Sequence, residues 1–322
     1  MVDMLRKKHE CPLLKYLRDC KSQVRRAVDM GQACAMAKVL IAGCGYVGSQ
    51  LGTMLVADGH DVFALKRNTA GLPPGLTPVK ADLTLPETLT ALPSHIDTIF
   101  YTAGAGRSDE AGYRASYLDG VGRLLSSLAD LGEKPKRIFF TSSTSVYDQR
   151  RGEWVDEESH AGPTSFRGEI MLMTERLLLA GSIPGTVVRF GGIYGPGRDR
   201  LLRAVGRGEV AVAPGDAHYT NRIHLEDAAG CLRHLMSLEN PAALYLGVDN
   251  EAADESSVLR WMADRMSVEL PEADGGNDRA TVRRAGSKRC RNDRLTETGY
   301  RFRYPTFREG YEMMIRGMSE GS

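Results

Sequence analysis

The stretch that decides the fold is KVLIAGCGYVGSQLGTML, residues 38–55. It joins a short apolar run to a glycine-rich turn, and then to apolar residues that recur at helical spacing. Gly59 follows at the place where a helix C-cap glycine belongs. This order of strand, turn and helix predicts the first unit of a Rossmann-type domain, whose turn faces the pyrophosphate of a dinucleotide.

The glycines of the turn have separate tasks in this interpretation. Gly43 permits the tight turn, Gly45 lets the backbone approach the pyrophosphate, and Gly48 allows close packing of helix on strand. A lone GxGxxG is weak evidence, but here a strand precedes it and an amphipathic helix and a second strand follow. The alternative is a structural turn without a ligand. The predicted cofactor contacts in the turn are Gly43, Cys44, Gly45, Tyr46, Val47 and Gly48.

Beyond the turn, short apolar runs alternate with amphipathic stretches, which is typical of βαβ units and a parallel sheet. We therefore predict an α/β fold with a doubly wound parallel sheet at residues 36–190. A smaller substrate-binding cap at residues 191–322 is expected to be interleaved with the last Rossmann elements. The expected strands are 39–42, 61–65, 77–80, 97–101, 137–141 and 186–189, the sixth completing the sheet.

Residues 1–35 differ from the rest of the chain. They mix acidic and basic residues and precede Met36, directly before the first strand. We expect a loosely attached extension, or a natural start at Met36. A targeting peptide is the alternative, against which the acidic residues Asp3, Glu10, Asp19 and Asp29 argue, because organelle transit sequences are poor in acids.

The composition excludes several classes of partner. Because 42 Lys and Arg are matched by 41 Asp and Glu, the net charge of +1 attracts neither nucleic acid nor anionic lipid. No stretch approaches the roughly 18 apolar residues of a membrane span. The six cysteines are scattered, with neither a CxxC pair nor a His at zinc-ligand spacing. We expect a cytoplasmic protein with a small-molecule partner and no metal site.

The ends of the second, third and fourth strands predict which dinucleotide binds. A site for NAD usually carries Asp or Glu after the second strand, whereas this chain has Lys66 and Arg67, which would pair with a 2′-phosphate. NADP is therefore favoured over NAD, although both cations could be solvated loop residues. Asp82, next to Leu83, could accept from the adenine amino group or act as a turn residue. Small residues at Thr102, Ala103 and Gly104 leave room for the ribose and nicotinamide.

With these pieces placed, residues 38–315 resemble the extended and atypical short-chain dehydrogenase/reductases, the NAD-dependent epimerase/dehydratase-like group. The C-terminal part resembles a small atypical bacterial subgroup whose substrate is undefined. The resemblance implies a homodimer through the helices that flank the fourth and fifth strands. The tracts that carry it are FTSSTSVY (140–147), RFGGIYGPGR (189–198), NRIHLED (221–227), SKRC (287–290) and GYRFRYPTFREG (299–310).

The family's chemistry uses a serine or threonine, a tyrosine and a lysine. Ser143 matches the serine that orients the substrate oxygen, three residues before Val146. The tyrosine transfers a proton and the lysine lowers its pKa. Their places, eight and four residues before Glu175, hold Arg167 and Met171. Arg167 stays protonated near neutral pH, so it could polarise an oxyanion but not shuttle a proton.

Three tyrosines could substitute for the missing one. Tyr147 lies closest to Ser143 in the sequence, Tyr117 is on the helix before the fifth strand, and Tyr194 follows the sixth strand. Each could equally be a packing or cofactor-contact residue. We name Ser143, Tyr147 and Arg167 as the candidate catalytic residues.

Other charged residues have competing interpretations. His224 and Asp227 could be catalytic, but in the family this tract mainly ties the cap to the Rossmann body. Arg222 and Arg198 could face a negative charge on the substrate. Five basic residues near the C-terminus lack interleaved stacking aromatics and are expected to form a solvated face rather than a nucleic-acid site. They are Arg283, Arg284, Lys288, Arg289 and Arg291.

Two functions follow from the sequence. The first is an NADP(H)-dependent oxidoreductase or epimerase/dehydratase-like enzyme acting on a hydroxyl or carbonyl group of a small molecule, such as a nucleotide sugar. The second is a catalytically idle NADP(H) sensor or scaffold, which the residues at 167 and 171 favour. Hydride exchange distinguishes them.

Overall fold

The computed structural model of the protein describes residues 36–212, 215–272 and 286–320. The predicted extension at residues 1–35 lies outside them. The strands are β1 (Lys38–Ala42), β2 (Asp61–Lys66), β3 (Thr77–Lys80), β4 (Thr98–Tyr101), β5 (Arg137–Ser143), β6 (Glu153–Val155), β7 (Gly185–Phe190), β8 (Gly192–Tyr194), β9 (Tyr219–Thr220), β10 (Arg222–His224), β11 (Leu244–Gly247), β12 (Ala253–Asp254) and β13 (Lys288–Cys290). The helices are α1 (Tyr46–Ala57), α2 (Glu110–Ser116), α3 (Leu118–Asp130), α4 (Phe166–Leu179), α5 (Arg200–Gly206), α6 (Leu225–Ser237), α7 (Glu255–Met266), α8 (Asp293–Glu297) and α9 (Phe307–Glu320).

The central sheet has seven strands in the order β3-β2-β1-β4-β5-β7-β11, and every neighbouring pair is parallel. The predicted doubly wound α/β fold is confirmed. The expectation that six strands complete the sheet is wrong, because β11 pairs with β7 from a part of the chain assigned to the cap. β11 was not predicted because it is only four residues long and irregular segments separate it from the earlier strands.

The strand order reverses beside β1. This strand pairs with β2 on one side and with β4 on the other, so that Ala42 is level with both Leu65 and Tyr101. The residues that follow these three strands therefore meet at one edge of the sheet. In such sheets, ligands bind outside the carboxyl ends of the strands at the point of reversal.

Both faces of the sheet are buried, as all-parallel sheets require. On one face α1 and α6 pack with apolar residues of β1, β2 and β7 in one hydrophobic cluster. On the other face α3 and α4 contribute to a second cluster. Gly59 follows α1 with φ +90°, which confirms the predicted end of that helix.

The cap has its own apolar cluster, formed by residues of α5, α7 and α9. Three two-stranded pairings accompany it: β8 with β10, β9 with β12, and β6 with β13. The last pairing brings the C-terminal region beside the loop that follows β5. Within the described residues, no helix is long and apolar enough to cross a membrane.

Candidate cofactor and active site

Two glycines of the turn are required by the protein's own packing. Gly43 has φ +87°, and a Cβ there would lie 2.3 Å from Ala103 Cα. A Cβ on Gly48 would lie 2.6 Å from Thr102 Oγ1 and 2.9 Å from Ile41 Cγ2. Neither position can hold a larger residue without displacing β1 or β4. These glycines explain the turn, but they would do so with or without a ligand.

Gly45 differs, because its surroundings are open. The nearest atom to a Cβ placed there is Gly43 O, at 3.9 Å. Gly45 is also the N-cap residue of α1, where backbone N–H groups lack intrahelical partners and the helix dipole favours an anion. Open space above an uncapped helix N-terminus fits a pyrophosphate that must approach the backbone closely.

The residues that follow β4 pack against the glycine turn. Thr102 donates from Oγ1 to Gly43 O at 3.0 Å and from its backbone to Ala42 O at 2.9 Å. Ala103 packs under Gly43, whereas Gly104 is exposed and has nothing within 4 Å of its missing side chain. Of these three residues, Gly104 is the one that offers space to a ligand. Cys44 is buried, and burial raises the pKa of its thiol.

The two cations after β2 face this edge. The guanidinium nitrogens of Arg67 lie 3.7 Å from where a Cβ on Gly106 would be. The charge of Lys66 reaches the thiol of Cys44 in the turn. Over the described ranges, neither cation forms an ion pair. Both are available to an anionic group at the adenosine end.

Asp82 is already engaged in its own turn. Its Oδ1 accepts from the backbone N of Thr84 at 2.9 Å and from Thr84 Oγ1 at 2.8 Å. The neighbouring Leu83 is buried in the second cluster. This arrangement favours the turn-residue interpretation of Asp82 over contact with adenine.

Ser143 ends β5 at the same edge, level with Phe190 of β7. Its Oγ accepts from the backbone N of Ser145 at 3.1 Å and so caps the short 3₁₀ helix Thr144–Val146. The bond fixes the oxygen but leaves its hydrogen free to turn to a substrate oxygen. The position is consistent with an orienting role.

Tyr147, the candidate catalytic partner of Ser143, has its hydroxyl in a buried hydrogen-bond network. Its hydroxyl donates to Asp156 O at 2.7 Å and accepts from Arg189 Nη1 at 2.7 Å. Burial raises its pKa to about 12. Arg189 is in turn paired with Glu175, 2.7 Å from Nη2 to Oε2, and Ser142 donates to the same carboxylate. We assign Tyr147 to structure rather than to proton transfer.

The family's tyrosine and lysine positions carry no acid/base pair. Arg167 donates from Nη2 to Ser108 O at 3.1 Å and lies over the rings of Tyr113 and Phe166. Met171 is buried in the second cluster. Arg167 therefore ties α4 to the loop after β4, and no cation replaces the lysine from this helix.

The other two tyrosines differ in placement. Tyr194 is buried against Tyr311 of α9, with ring centroids 4.4 Å apart. Tyr117 lies near the backbone of Ala105, just beyond Gly104, and burial raises its pKa. Of the three substitutes considered, Tyr117 lies nearest to the space beside Gly104.

Asp227 joins the cap to the Rossmann body. Its carboxylate accepts from Tyr300 Oη at 2.9 Å and from the backbone N of Arg303 and of Tyr304 at 2.8 Å each. His224 is fully buried, and burial lowers its pKa to about 4. These contacts support the structural interpretation of this tract.

Arg198, which the sequence suggested could face a negative charge on the substrate, lies against the first residue of α1. Its guanidinium lies 4.3 Å from the ring centroid of Tyr46, whose hydroxyl donates to Pro196 O at 2.9 Å. The turn 195–198 thus rests on the first residue of α1. The sequence shows that Tyr46 begins a helix and that residues 195–198 form a glycine-rich turn. It does not show that this turn contacts Tyr46.

The basic residues near the C-terminus divide into three kinds. Arg283 and Arg284 lie outside the described residues. Arg289 stacks on Trp154 and Tyr219 at 4.7 and 4.8 Å, and Arg291 lies 5.2 Å from the ring centroid of Trp154. No aromatic residue is interleaved with these cations in the sequence, but the pairing of β13 with β6 brings Trp154 alongside them. Lys288 is not on a solvated face but buried.

Comparisons with known proteins show which family the chain belongs to. Residues 39–213 match the model of the NAD dependent epimerase/dehydratase family. Protein YeeZ of Escherichia coli K12 is 28% identical over 282 residues, which cover 84% of this chain and 97% of YeeZ. The solved structure of a candidate NAD-dependent epimerase/dehydratase of Methylobacillus flagellatus is 35% identical, with a TM-score of 0.75 over 88% of this chain and 100% of that one.

A third relative was solved with ligands. MoeE5 in complex with UDP-glucuronic acid and NAD is 26% identical and has a TM-score of 0.72, covering 88% of this chain and 100% of that one. The fold, the glycine turn and the matched family model all indicate the same family. The chain belongs to the NAD dependent epimerase/dehydratase family of Rossmann-fold, NAD(P)-binding proteins.

Proposed function

We propose that the protein is an NADP(H)-dependent oxidoreductase or epimerase-like enzyme that acts on a hydroxyl or carbonyl group of a small molecule such as a nucleotide sugar. The observation that carries the cofactor choice is the pair Lys66 and Arg67, unpaired beside the glycine turn. A 2′-phosphate would supply the negative charge that these two cations lack, whereas an NAD site places a carboxylate there.

Different residues of the site bind the cofactor and orient the substrate. The backbone of Gly45 and the N-terminus of α1 hold the pyrophosphate, while Gly104 leaves space for the ribose and nicotinamide. Bound NADP(H) supplies or accepts the hydride. Ser143 Oγ orients the reacting oxygen of the substrate by donating a hydrogen bond to it. Tyr117, which lies near the backbone of Ala105 just beyond Gly104, is our candidate proton donor in place of Tyr147.

The cofactor proposal is tested by titrating the protein with NADPH and NADH in parallel. We expect NADPH to bind more tightly, and Arg67→Ala to weaken NADPH at least about tenfold, the order expected when one charge-assisted contact is lost. NADH affinity should change little. Arg260→Ala, which removes an exposed cap cation paired with Glu272, is the matched control. Equal loss for both cofactors would contradict a 2′-phosphate contact.

The catalytic assignment has its own test. Ser143→Ala is expected to abolish NADPH oxidation with any carbonyl compound that the unchanged protein reduces, because the substrate oxygen is no longer oriented. NADPH affinity should stay the same, since Ser143 orients substrate rather than cofactor. Unchanged turnover in this variant would remove Ser143 from the mechanism.

A catalytically idle NADP(H)-binding protein is the second candidate. Arg167 and Met171 in place of tyrosine and lysine favour it. Tight NADPH binding with no hydride exchange across a panel of aldehydes, ketones and nucleotide sugars would select this function over the first.

We further propose a cytoplasmic homodimer. Cys44, Cys231 and Cys290 are free thiols, as expected in a reducing compartment. Met173 and Leu177 project exposed from α4, on the outer side of the helix pair α3 and α4. Two copies of this face would bury those side chains against each other.

A further inference from the structure

Lys288 is a buried cation that the proposed mechanism does not use. Only 5% of its surface is exposed. Its Nζ donates to Tyr147 O at 3.2 Å, and this is its one hydrogen bond to a residue of the described ranges. An ammonium has three donors, so two are left over. Burial lowers the pKa of Lys288, which shows how little its charge is compensated.

The charged and titratable groups that face Lys288 do not neutralise it. The carboxylate of Asp148 is close enough to act on its charge but forms no ion pair with it. Asp148 Oδ1 is instead bound to Arg150 Nη2 and to Thr164 Oγ1, at 2.9 Å each. The other neighbour, Cys290, has a thiol whose pKa burial raises to about 12, so it is uncharged near neutrality. A buried charge without a partner is costly and normally finds an anion.

Lys288 contacts the turn that follows Ser143 at the end of β5. Tyr147, whose carbonyl it contacts, lies four residues after Ser143 in the same turn. Its own carbonyl accepts from Asn221 Nδ2 at 2.9 Å, and Asn221 O accepts from the backbone N of Gly192 at 2.9 Å. Lys288 is therefore held over the carboxyl ends of β5 and β7, where ligands of this fold bind.

Two further features lie beside its ammonium group. A Cβ on Gly286 would be 3.5 Å from Lys288 Nζ and 2.8 Å from Gln149 O, and Gly286 has φ +74°. A side chain at position 286 would collide with the backbone of Gln149, so the glycine lets the segment before β13 pack closely against the turn that carries Gln149. Gln149 Oε1 is a buried oxygen without a hydrogen-bond partner in the structure. A ligand with an anionic oxygen for Lys288 and a hydroxyl group that donates to Gln149 Oε1 could satisfy both.

We propose that Lys288 binds a negatively charged oxygen of the substrate beside Ser143. The ligand class is a carboxylate or phosphate. That this ligand is the substrate rests on the proposed function, whereas the anion site itself is independent of it. Lys288 is in this role a substrate-binding residue, not the proton donor.

The test is an NMR titration of the full chain labelled with ¹³C at the ε carbon of lysine. The Lys288 resonance is identified by its loss in Lys288→Arg, which keeps the positive charge. Lys136, whose side chain is 81% exposed, serves as the control lysine. D-glucuronate, inorganic phosphate and D-glucose are added in turn, so that charge is varied against a matched neutral sugar.

We expect glucuronate or phosphate to raise the titration midpoint of Lys288 in a saturable way, because an anion stabilises the ammonium form. Glucose should not shift it, and Lys136 should not respond to any of the three. An unchanged Lys288 midpoint with both anions, or an equal shift with glucose, overturns the proposal. A role limited to anchoring the Tyr147 turn gives the unchanged midpoint.

A pair of variants, each measured with and without NADPH, distinguishes anion binding at Lys288 from cofactor binding. Lys288→Arg should keep the rise in thermal midpoint that the anion produces, and Lys288→Met should lose it. Failure of NADPH to bind defeats the proposed function but leaves the response of Lys288 to anions readable, so the two failures are distinguishable.

Discussion

We expect Gly45→Ala to fold normally and to bind NADPH at least about tenfold more weakly than the unchanged protein. Gly45 has φ −98° and ψ −138°, which costs alanine some backbone strain, but a Cβ there meets no protein atom closer than 3.9 Å. The added methyl group would instead occupy the space through which a pyrophosphate reaches the N-terminus of α1. Fluorescence titration measures the affinity, and thermal denaturation measures the stability.

Gly48→Ala is the matched control with the opposite pattern. Its Cβ would lie 2.6 Å from Thr102 Oγ1, so α1 must move away from the sheet and the protein should lose stability. Unchanged NADPH affinity in Gly45→Ala would show that the dinucleotide does not bind over this turn. Equal destabilisation of the two variants would show that Gly45 serves packing instead.

The second large effect is expected at Glu175. Replacing it by leucine should lower the free energy of unfolding by about 3–5 kcal/mol, because Arg189 would keep its charge in a buried place without a carboxylate. Both side chains are at most 6% exposed, and Arg189 Nη2 lies 2.7 Å from Glu175 Oε2. Urea denaturation measures the loss.

Two further variants make the cause clear. Glu175→Leu combined with Arg189→Met removes both charges and should recover most of the lost stability, since the uncompensated cation is gone. Glu272→Gln breaks an exposed pair with Arg260 and should cost less than about 1 kcal/mol. If Glu175→Leu costs no more than Glu272→Gln, water reaches this pair in solution.

Local patterns were enough to predict most of the sheet. Most of the strands from β1 to β7 that build it were recognisable as short apolar runs bounded by glycine or polar turns, although β3 is largely exposed. Their carboxyl ends then indicate where a cofactor lies. The predicted bounds differ from the observed ones by one or two residues, as at β5, which continues to Ser143. Such differences are usual at the ends of strands.

What the sequence could not predict depends on contacts between distant residues. Trp154 and Arg289 are neighbours only because β6 and β13 pair. Lys288 reads as a surface cation among other cations until that pairing buries it. Tyr147 reads as a candidate acid because it is close to Ser143, but the direction of its side chain is set by Arg189, which comes from another strand.

The late arrival of β11 decides whether the Rossmann unit can exist alone. A chain that ends at residue 190 would leave β7 as an open edge, with a row of unpaired N–H and C=O groups next to an apolar face. Such an edge invites pairing with other molecules. We therefore expect a chain that ends at residue 190 to be less stable and more prone to aggregation than the whole protein, because β7 then lacks its partner β11.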